Sequence, residues 1–381
     1  MVNYNDLGVK KIINAAGTFT KYGGSLISSE VIQAMEIASH HFVDIDELLQ
    51  KSGEYIAKCL DVEAALITAG AAAGLTLSAA ACIAGSKPEY IKSLPNTEGM
   101  RNEIIIMCCH RNPYDRAMIT AGAKFLEIGN AILTYQWELE SAIGEKTAAV
   151  VFFVQSEILE ASLTLKEVIE IAHAKNIPVI VDAASELPPI ENLKKFTEIG
   201  ADIVIFSGGK DMRGPQSSGL IVGKKDIVNV CRLHGYPHHS IGRPMKLDKE
   251  TIMGLVRAIE LYVKEDHQKR IERWEKQVRR IIKGFSDIPH IQAFQGYPAQ
   301  PNAQPAIIPR VYVKFDEEVL GVTKEDIFRE LYEGDPRIVV KIEKKYLVFN
   351  PHMLAEREED LIIERMKGIV RKIDKSILSK N

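Results

Sequence analysis

Residues 177–210 read IPVIVDAASELPPIENLKKFTEIGADIVIFSGGK, and this stretch decides the fold of the chain. It contains two short apolar runs, IPVIV and ADIVIF, which are typical of strands buried on both faces of a sheet. Between them, ENLKKFTEIG carries apolar residues at three- and four-residue spacing, which predicts an amphipathic helix. A strand, a helix and a second strand in this order predict two parallel strands that end at the same edge of a sheet.

The same alternation continues on both sides of this stretch. Buried strands are predicted at residues 64–68, 103–109, 148–154, 177–184, 201–208 and 218–223. Helices are predicted between them and before them, at residues 28–42, 73–85, 164–176 and 191–200. This order predicts an α/β fold with a mostly parallel sheet that helices cover on both faces.

The character of the chain changes after about residue 245. Residues 246–285 are charge-rich and amphipathic, which predicts one long helix leading into a second domain. Strand-like runs follow at 306–315 and 338–349, before a charged terminal helix at 356–373. We therefore expect an N-terminal arm at 1–30, a large α/β domain at 31–245, and the linker helix with a small C-terminal α/β domain at 246–381.

Composition excludes several classes of protein. The chain has 381 residues and a formal net charge of −3, so no excess of positive charge favours nucleic acid or an anionic membrane. Its N-terminus lacks the apolar core of a secretory signal, and no apolar run reaches the ~18 residues of a membrane helix. The five cysteines form no C-x-x-C pair, which favours a reducing, cytoplasmic setting.

Lys210 and Asp182 are the most informative polar residues. Lys210 follows the strand IVIFS and two glycines, where a partly desolvated amine can form an imine. Asp182 ends the apolar strand one βαβ unit earlier, so both side chains are expected at one edge of the sheet. A carboxylate there can keep a pyridine nitrogen protonated, as pyridoxal 5′-phosphate (PLP) requires. The alternatives are a solvated loop lysine and a helix N-cap aspartate.

Two further segments fit the same edge. TAGAAAGL, from Thr68 to Leu75, follows a strand and opens an alanine-rich helix, whose first N–H groups could bind a phosphate. A close-packed helix start is the alternative reading. His110 ends another strand and could stack on a cofactor ring or transfer a proton. Metal binding by His110, Tyr114 and Asp115 lacks a second cluster of ligands, so no metal site is expected.

Taken together, these segments resemble fold-type I PLP-dependent enzymes. Four segments occur in the order and spacing of that class: TAGAAAGL, CHRNPYD, VDAASELPP and SGGKDMRGPQSSGLIVG. More closely, the chain is similar to the family that groups bacterial selenocysteine synthase with D-glucosaminate-6-phosphate ammonia-lyase. This likeness covers nearly the whole chain. It is carried by four segments: IINAAGTFTKYGGSLISSEVIQAM, SGGK–GPQSSGLI, GRPMKLDKETI and DPRIVVKIEKKYLVFNPHML.

The resemblance implies a role for each site residue. Lys210 would form the Schiff base with PLP, and Asp182 would pair with its pyridine nitrogen. The phosphate would be bound by Gly70, Ala71, Ala72 and Ser207. His110 would stack on the ring, and Ser185 would face its hydroxyl, although relatives more often carry Gln at that position. A homodimer or higher oligomer is implied, with residues 14–24 and 234–244 completing the partner's site.

The reaction is left open among several outcomes. The first hypothesis is a lyase that removes the α-proton of an anionic, hydroxylated amino acid, such as an amino-sugar acid phosphate, and eliminates its β-substituent. Candidate substrate-binding residues are Arg213, Arg243, Lys246 and Arg337, each of which could instead be a surface ion-pair residue. The alternatives are a selenocysteine synthase-like transferase, a racemase or an aminotransferase. We expect neither an N-terminal tRNA-binding domain nor a nucleic-acid partner. A non-catalytic binding protein of the same fold is a further alternative, disfavoured because Lys210 and Asp182 are both present.

Overall fold

The computed structural model describes residues 2–154, 161–298 and 307–378, and the chain forms two compact units. The large unit comprises Ser25–Glu265. The small unit comprises residues 2–24 together with the described residues from Asp266 onward. Each unit has its own sheet and its own apolar core.

A seven-stranded sheet forms the centre of the large unit. In spatial order its strands are β2 (Ala64–Thr68), β8 (Gly219–Gly223), β7 (Ile203–Ser207), β6 (Val179–Asp182), β5 (Thr147–Phe153), β3 (Glu103–Met107) and β4 (Lys124–Ile128). Strand β8 runs antiparallel to both of its neighbours, and the other pairings are parallel. The predicted mostly parallel sheet is therefore confirmed.

Helices cover both faces of this sheet. The helices of the large unit are α1 (Ser29–Ser39), α2 (Ile45–Leu60), α3 (Ala71–Ala84), α4 (Pro88–Ser93), α5 (Arg116–Ile119), α6 (Gln136–Ala142), α7 (Leu165–His173), α8 (Asn192–Ile199), α9 (Lys225–His234) and α10 (Lys249–Lys264). Successive strand residues such as Ile104 and Ile105 belong to two different apolar clusters, one on each face of the sheet. This is why the strands are continuous apolar runs rather than alternating ones.

The small unit contains an antiparallel sheet and a short parallel pair. Its elements are β1 (Ile12–Asn14), α11 (His267–Phe285), β9 (Ile291–Gly296), β10 (Arg310–Phe315), α12 (Glu317–Leu320), α13 (Lys324–Glu333), β11 (Arg337–Val339), β12 (Lys341–Glu343), β13 (Tyr346–Phe349) and α14 (Glu358–Leu378). Strands β12, β13, β10 and β9 form the antiparallel sheet, and β1 pairs with β11 in parallel.

The structure corrects two expectations about domain organisation. The long helix expected at 246–285 is two helices, because the chain leaves helical geometry at Glu265 and Asp266 caps α11 by accepting from the Lys269 N–H. Helix α10 belongs to the large unit, since it packs against α1 and α2. The N-terminal residues belong to the small unit, because β1 pairs with β11 there. The boundaries therefore fall after residues 24 and 265, instead of 30 and 245.

Strand β4 was not predicted from the sequence. Its residues, KFLEI, include the exposed charged side chains of Lys124 and Glu127, which an edge strand that pairs with β3 alone can accommodate. Among the described residues, no helix combines the length and the apolar character needed to cross a membrane.

Candidate active site

The carboxyl ends of the parallel strands bring several predicted cofactor-binding residues to one edge of the large sheet. Asp182, the last residue of β6, is in register with Phe153 of β5 and Ile205 of β7. Two residues further on, Ser207 of β7 is in register with Gly219, which in turn pairs with Thr68 of β2. The turn that carries Lys210 and the start of α3 thus both leave the sheet at this edge, as expected for a ligand site in an α/β fold.

Lys210 lies among groups contributed by the neighbouring strand end. Its Nζ donates a hydrogen bond to Ser185 Oγ at 2.5 Å, and its charge interacts with the Asp182 carboxylate. The Ala184 N–H donates to Asp182 Oδ1 at 2.9 Å, which orients that carboxylate. The structure therefore places Lys210, Asp182 and Ser185 close together, and their roles stay predictions.

Burial acts in opposite directions on the two charged groups. Desolvation lowers the pKa of Lys210, although the nearby carboxylates of Asp182 and Glu186 oppose this effect. Desolvation raises the pKa of Asp182, against the Ala184 hydrogen bond and the charge of Lys210. An amine that loses its proton more readily than usual is suited to nucleophilic attack or proton abstraction. Such perturbed groups at a strand edge are characteristic of active sites.

The start of α3 provides hydrogen-bond donors for an anion. Gly70 caps the helix with a positive φ of 85°, and its own N–H donates to the Thr68 carbonyl at 2.9 Å. Ala71 and Ala72 occupy the first turn, where N–H groups have no partner inside the helix, and Ala72 is exposed. A Cβ at Gly219 would lie only 2.4 Å from the Gly70 carbonyl carbon, so glycine there permits the close approach of β8.

His110 is held in a single neutral tautomer. The Phe153 N–H donates to its Nδ1 at 3.1 Å, so the proton lies on Nε2, which bonds Ser162 Oγ at 2.9 Å. Its ring is fully buried and packs edge-on against Phe152, and burial lowers its pKa to about 3. Burial therefore favours the neutral ring, and a proton-transfer role stays a prediction. Stacking on a cofactor ring would require the surrounding side chains to move, and this assignment stays a prediction.

The four candidate substrate residues have different surroundings. Arg213 is already paired, with its Nη2 donating to Glu265 Oε2 at 2.5 Å. Arg243 is exposed and its guanidinium lies over the Tyr236 ring, 5.0 Å from the centroid. Lys246 is exposed in the segment before α10. Arg337 belongs to the small unit, where it lies over the ring of Tyr332.

Two features of the site were missed by sequence reasoning. Glu186, next to Ser185, is buried and within electrostatic reach of Lys210. Asp211, next to Lys210, is buried and accepts a hydrogen bond from the Tyr262 hydroxyl at 2.6 Å. Charged residues beside a predicted catalytic residue were the available signal, whereas nothing in the sequence indicated Tyr262.

The residues present fit PLP. A half-buried carboxylate that accepts from the Ala184 N–H, a desolvated amine and a helix start with free N–H groups correspond to its ring nitrogen, its aldehyde and its phosphate. Gly209 and Gly219 lie where added side chains would clash with Gln216 and Gly70, and so keep the backbone close together at this edge. Among the described residues there is no group of three or more His, Cys, Asp or Glu side chains placed to hold a metal ion.

The fold is that of the fold-type I PLP-dependent enzymes. Solved structures share this fold at low identity, among them serine palmitoyltransferase from S. paucimobilis with bound PLP. That structure aligns with a TM-score of 0.59 at 14% identity, over 95% of this chain and 88% of the other.

Residues 12–278 match the family model "SelA: L-seryl-tRNA selenium transferase", and the chain belongs to this family of enzymes. It is 32% identical to D-glucosaminate-6-phosphate ammonia lyase of Salmonella typhimurium, over 96% of this chain and 97% of that protein. A solved structure of D-glucosaminate-6-phosphate ammonia-lyase aligns with a TM-score of 0.86, over 98% of this chain and 100% of the other. The predicted family resemblance is confirmed.

Other relatives catalyse different reactions. A 5'-C-glycyluridine monooxygenase-decarboxylase of Streptomyces is 30% identical over 97% of this chain and 92% of that protein. An L-seryl-tRNA(Sec) selenium transferase of Clostridium botulinum is 24% identical over 95% of this chain and 83% of that protein. Membership of the family therefore does not by itself define the reaction.

Proposed function

We propose that this protein is a PLP-dependent lyase that releases ammonia from an anionic, hydroxylated amino acid, such as an amino-sugar acid phosphate. The observation that carries the proposal is the placement of Lys210 against Ser185 and Asp182 at the strand edge. The full-length likeness to D-glucosaminate-6-phosphate ammonia lyase supports the choice of reaction and substrate class.

Each part of the site would hold one part of the cofactor. Lys210 would hold it through its amine, and Asp182 would keep the ring nitrogen protonated. Gly70, Ala71, Ala72 and Ser207 would surround the phosphate, with Ser185 and His110 near the ring. When bound, PLP withdraws electrons from the substrate's α-carbon and makes its proton easier to remove.

The protein's own groups would then move the protons. Lys210, whose pKa is lowered by burial, would take the α-proton, and Ser185 Oγ would direct the amine. Loss of the β-hydroxyl as water, followed by addition of water and release of ammonia, converts the amino acid into a keto acid without any oxidant. Arg243 and Lys246 would bind the substrate's anionic groups, and Arg337 its carboxylate. Arg213, paired with Glu265, is the weakest of the four candidates.

A transferase that resembles selenocysteine synthase is the main alternative. The family model supports it, but the named selenium transferases are more distant in sequence than the ammonia lyase. Racemisation and transamination would need the same Lys210 and Asp182, so these reactions are distinguished from elimination by identifying their products. The net charge of −3 gives no general attraction for tRNA.

We also propose that the enzyme is a homodimer or higher oligomer in the cytoplasm. Several apolar residues in and beside α1 of the large unit are exposed, as an interface between copies would require: Leu26, Ile32, Ile37, Phe42 and Val43. Residues 14–24 and 234–244 would complete the partner's site. The cytoplasmic setting rests on the five cysteines without a C-x-x-C pair. Light scattering after size exclusion measures the mass, and a monomer would refute the oligomer.

The function is tested with two measurements on the full chain. Borohydride reduction of cofactor-saturated protein, followed by peptide mass spectrometry, should find a pyridoxyl group on Lys210, and an unlabelled Lys210 peptide would refute the cofactor. Incubation with D- and L-hydroxyamino acids and phosphorylated amino-sugar acids should release keto acid and ammonia in equal amounts. Racemised substrate or an amino-group acceptor requirement would favour the alternatives.

A further inference from the structure

One face of α10 packs along the turn that carries Lys210. A Cβ at Gly208 would lie 2.7 Å from Leu255 Cδ1, and one at Gly214 would lie 2.9 Å from the same atom. The helix therefore packs directly on the backbone of the turn, which only glycine allows at such distances. Helix residues three or four positions apart lie on one face, so Leu255, Ala258 and Tyr262 form one stripe of contacts.

Two polar contacts continue this stripe beyond the apolar ones. The Tyr262 hydroxyl donates to Asp211 Oδ2 at 2.6 Å, and Arg213 Nη2 donates to Glu265 Oε2 at 2.5 Å. Asp211 and Arg213 lie one and three residues after Lys210 in the chain. The two hydrogen bonds with Tyr262 of α10 and with Glu265 therefore hold the segment that immediately follows Lys210.

The backbone of Arg213 is held in an unfavourable conformation. Its φ is +55°, in the left-handed region that side chains other than Gly, Asn and Asp seldom adopt. Such a residue keeps its conformation only where its surroundings hold it in place. The pair with Glu265 and the Arg213 N–H bond to the Lys210 carbonyl at 3.0 Å supply that support.

We propose that Tyr262 and Glu265 are positioning residues for Lys210, acting through Asp211 and Arg213. This inference rests on the proposed role of Lys210 and extends it. A lysine side chain has four rotatable bonds, so its amine reaches a fixed place against Ser185 only if its backbone is fixed. In this proposal the Arg213 guanidinium fixes the backbone beside Lys210 and does not bind substrate.

The test compares Tyr262→Phe, Glu265→Gln and Arg213→Lys with Glu260→Gln as a matched control. Glu260 lies on the same helix but bonds Tyr55 and Arg257. The pH dependence of acetylation of Lys210 by acetic anhydride, read by peptide mass spectrometry in the full cofactor-free chain, reports its reactivity. We expect labelling at pH 7 about tenfold slower in the three variants, with the midpoint moved to higher pH, because a released amine is better solvated. The control should label as the wild type does.

A double variant separates positioning from substrate binding. Because Arg213 and Glu265 act as a pair, Arg213→Lys combined with Glu265→Gln should slow labelling no more than either change alone. Wild-type labelling in all three single variants would overturn the proposal. So would a raised KM in Arg213→Lys with unchanged labelling, which would return Arg213 to the substrate. If the wild type takes up no pyridoxyl group, the proposed function fails, but acetylation still decides whether the pair positions Lys210.

Discussion

Two aspartates lie at opposite ends of strand β6. Asp182 ends the strand at the edge where Lys210 lies, and Asp202 lies beside the strand's first residue, Val179, at the other edge. Asp202 is buried and Asp182 is half-buried, and desolvation acts on both carboxylates. Their partners, however, are very different.

Asp202 is fully provided with donors. His173 Nε2 lies 2.8 Å and Lys224 Nζ 2.7 Å from its oxygens, and the Val179 N–H donates to it at 2.7 Å. These bonds outweigh burial and lower its pKa. At Asp182, the opposing effects among the described residues are the Ala184 N–H bond and the charge of Lys210; they do not outweigh desolvation, and the pKa is raised.

The comparison separates a structural carboxylate from a functional one. A buried charge with complete partners stabilises the fold, whereas one with too few partners destabilises it until a ligand provides the missing donor. A protonated ring nitrogen is such a donor. The raised pKa of Asp182 is therefore the expected property of a cofactor site before its cofactor binds.

Removing the amine should have the largest effect. In Lys210→Ala, turnover should fall by about 10³-fold or more, since general base catalysis alone contributes that much. Keto-acid release measures the loss of turnover, and borohydride labelling measures the loss of the pyridoxyl group on residue 210. Activity that persists with any amino acid would refute the role of Lys210. The same variant removes the charge that opposes burial of Asp182, so the pKa of that carboxyl should rise further.

Asp182→Asn should come second in effect on activity. An amide has the size of the carboxylate but cannot balance a protonated ring nitrogen, and we expect kcat to fall about 10²-fold. The melting temperature of the cofactor-free protein should be unchanged or raised, because a poorly compensated buried charge is removed. A near-normal kcat, or a clear loss of stability, would break the comparison.

Asp202→Asn should give the reverse result. It leaves Lys224 and His173 without their common partner, and we expect a loss of about 2 kcal/mol of stability with kcat nearly unchanged. Thermal unfolding of the same cofactor-free preparation provides the measurement, with Asp182→Asn as the matched control. Equal stability in the two variants would contradict the distinction between the two carboxylates.

The smallest effect should be seen in the pH dependence of stability. The folded pKa of Asp202 is lowered, so its stabilising contribution is complete above its ordinary pKa and is lost as the pH falls through the folded value. The folded pKa of Asp182 is raised, so its destabilising contribution is relieved as the pH falls. Between pH 7 and pH 3, the stability differences from Asp202→Asn and Asp182→Asn should change in opposite directions. Parallel curves would show that the two carboxylates do not differ.

Much of the site could be predicted from where apolar runs end. Lys210, Asp182 and the start of α3 each follow a strand, and parallel strands bring their carboxyl ends to one edge. The pattern of apolar residues predicted secondary structure less well where an element is only partly buried. Edge strand β4 carries charged residues, and the end of α10 at Glu265 lies inside a continuous amphipathic pattern.

The sequence by itself determined the βαβ order, the family and the residue types at the strand ends, because burial on both faces of a sheet requires continuous apolar runs. Only the tertiary structure decided which polar groups are fully bonded. The pairing of Arg213 with Glu265, the single tautomer of His110 and the contrast between Asp182 and Asp202 depend on residues far apart in the chain. The strength of an electrostatic interaction is set by distance and local desolvation, and neither can be read from spacing along the sequence.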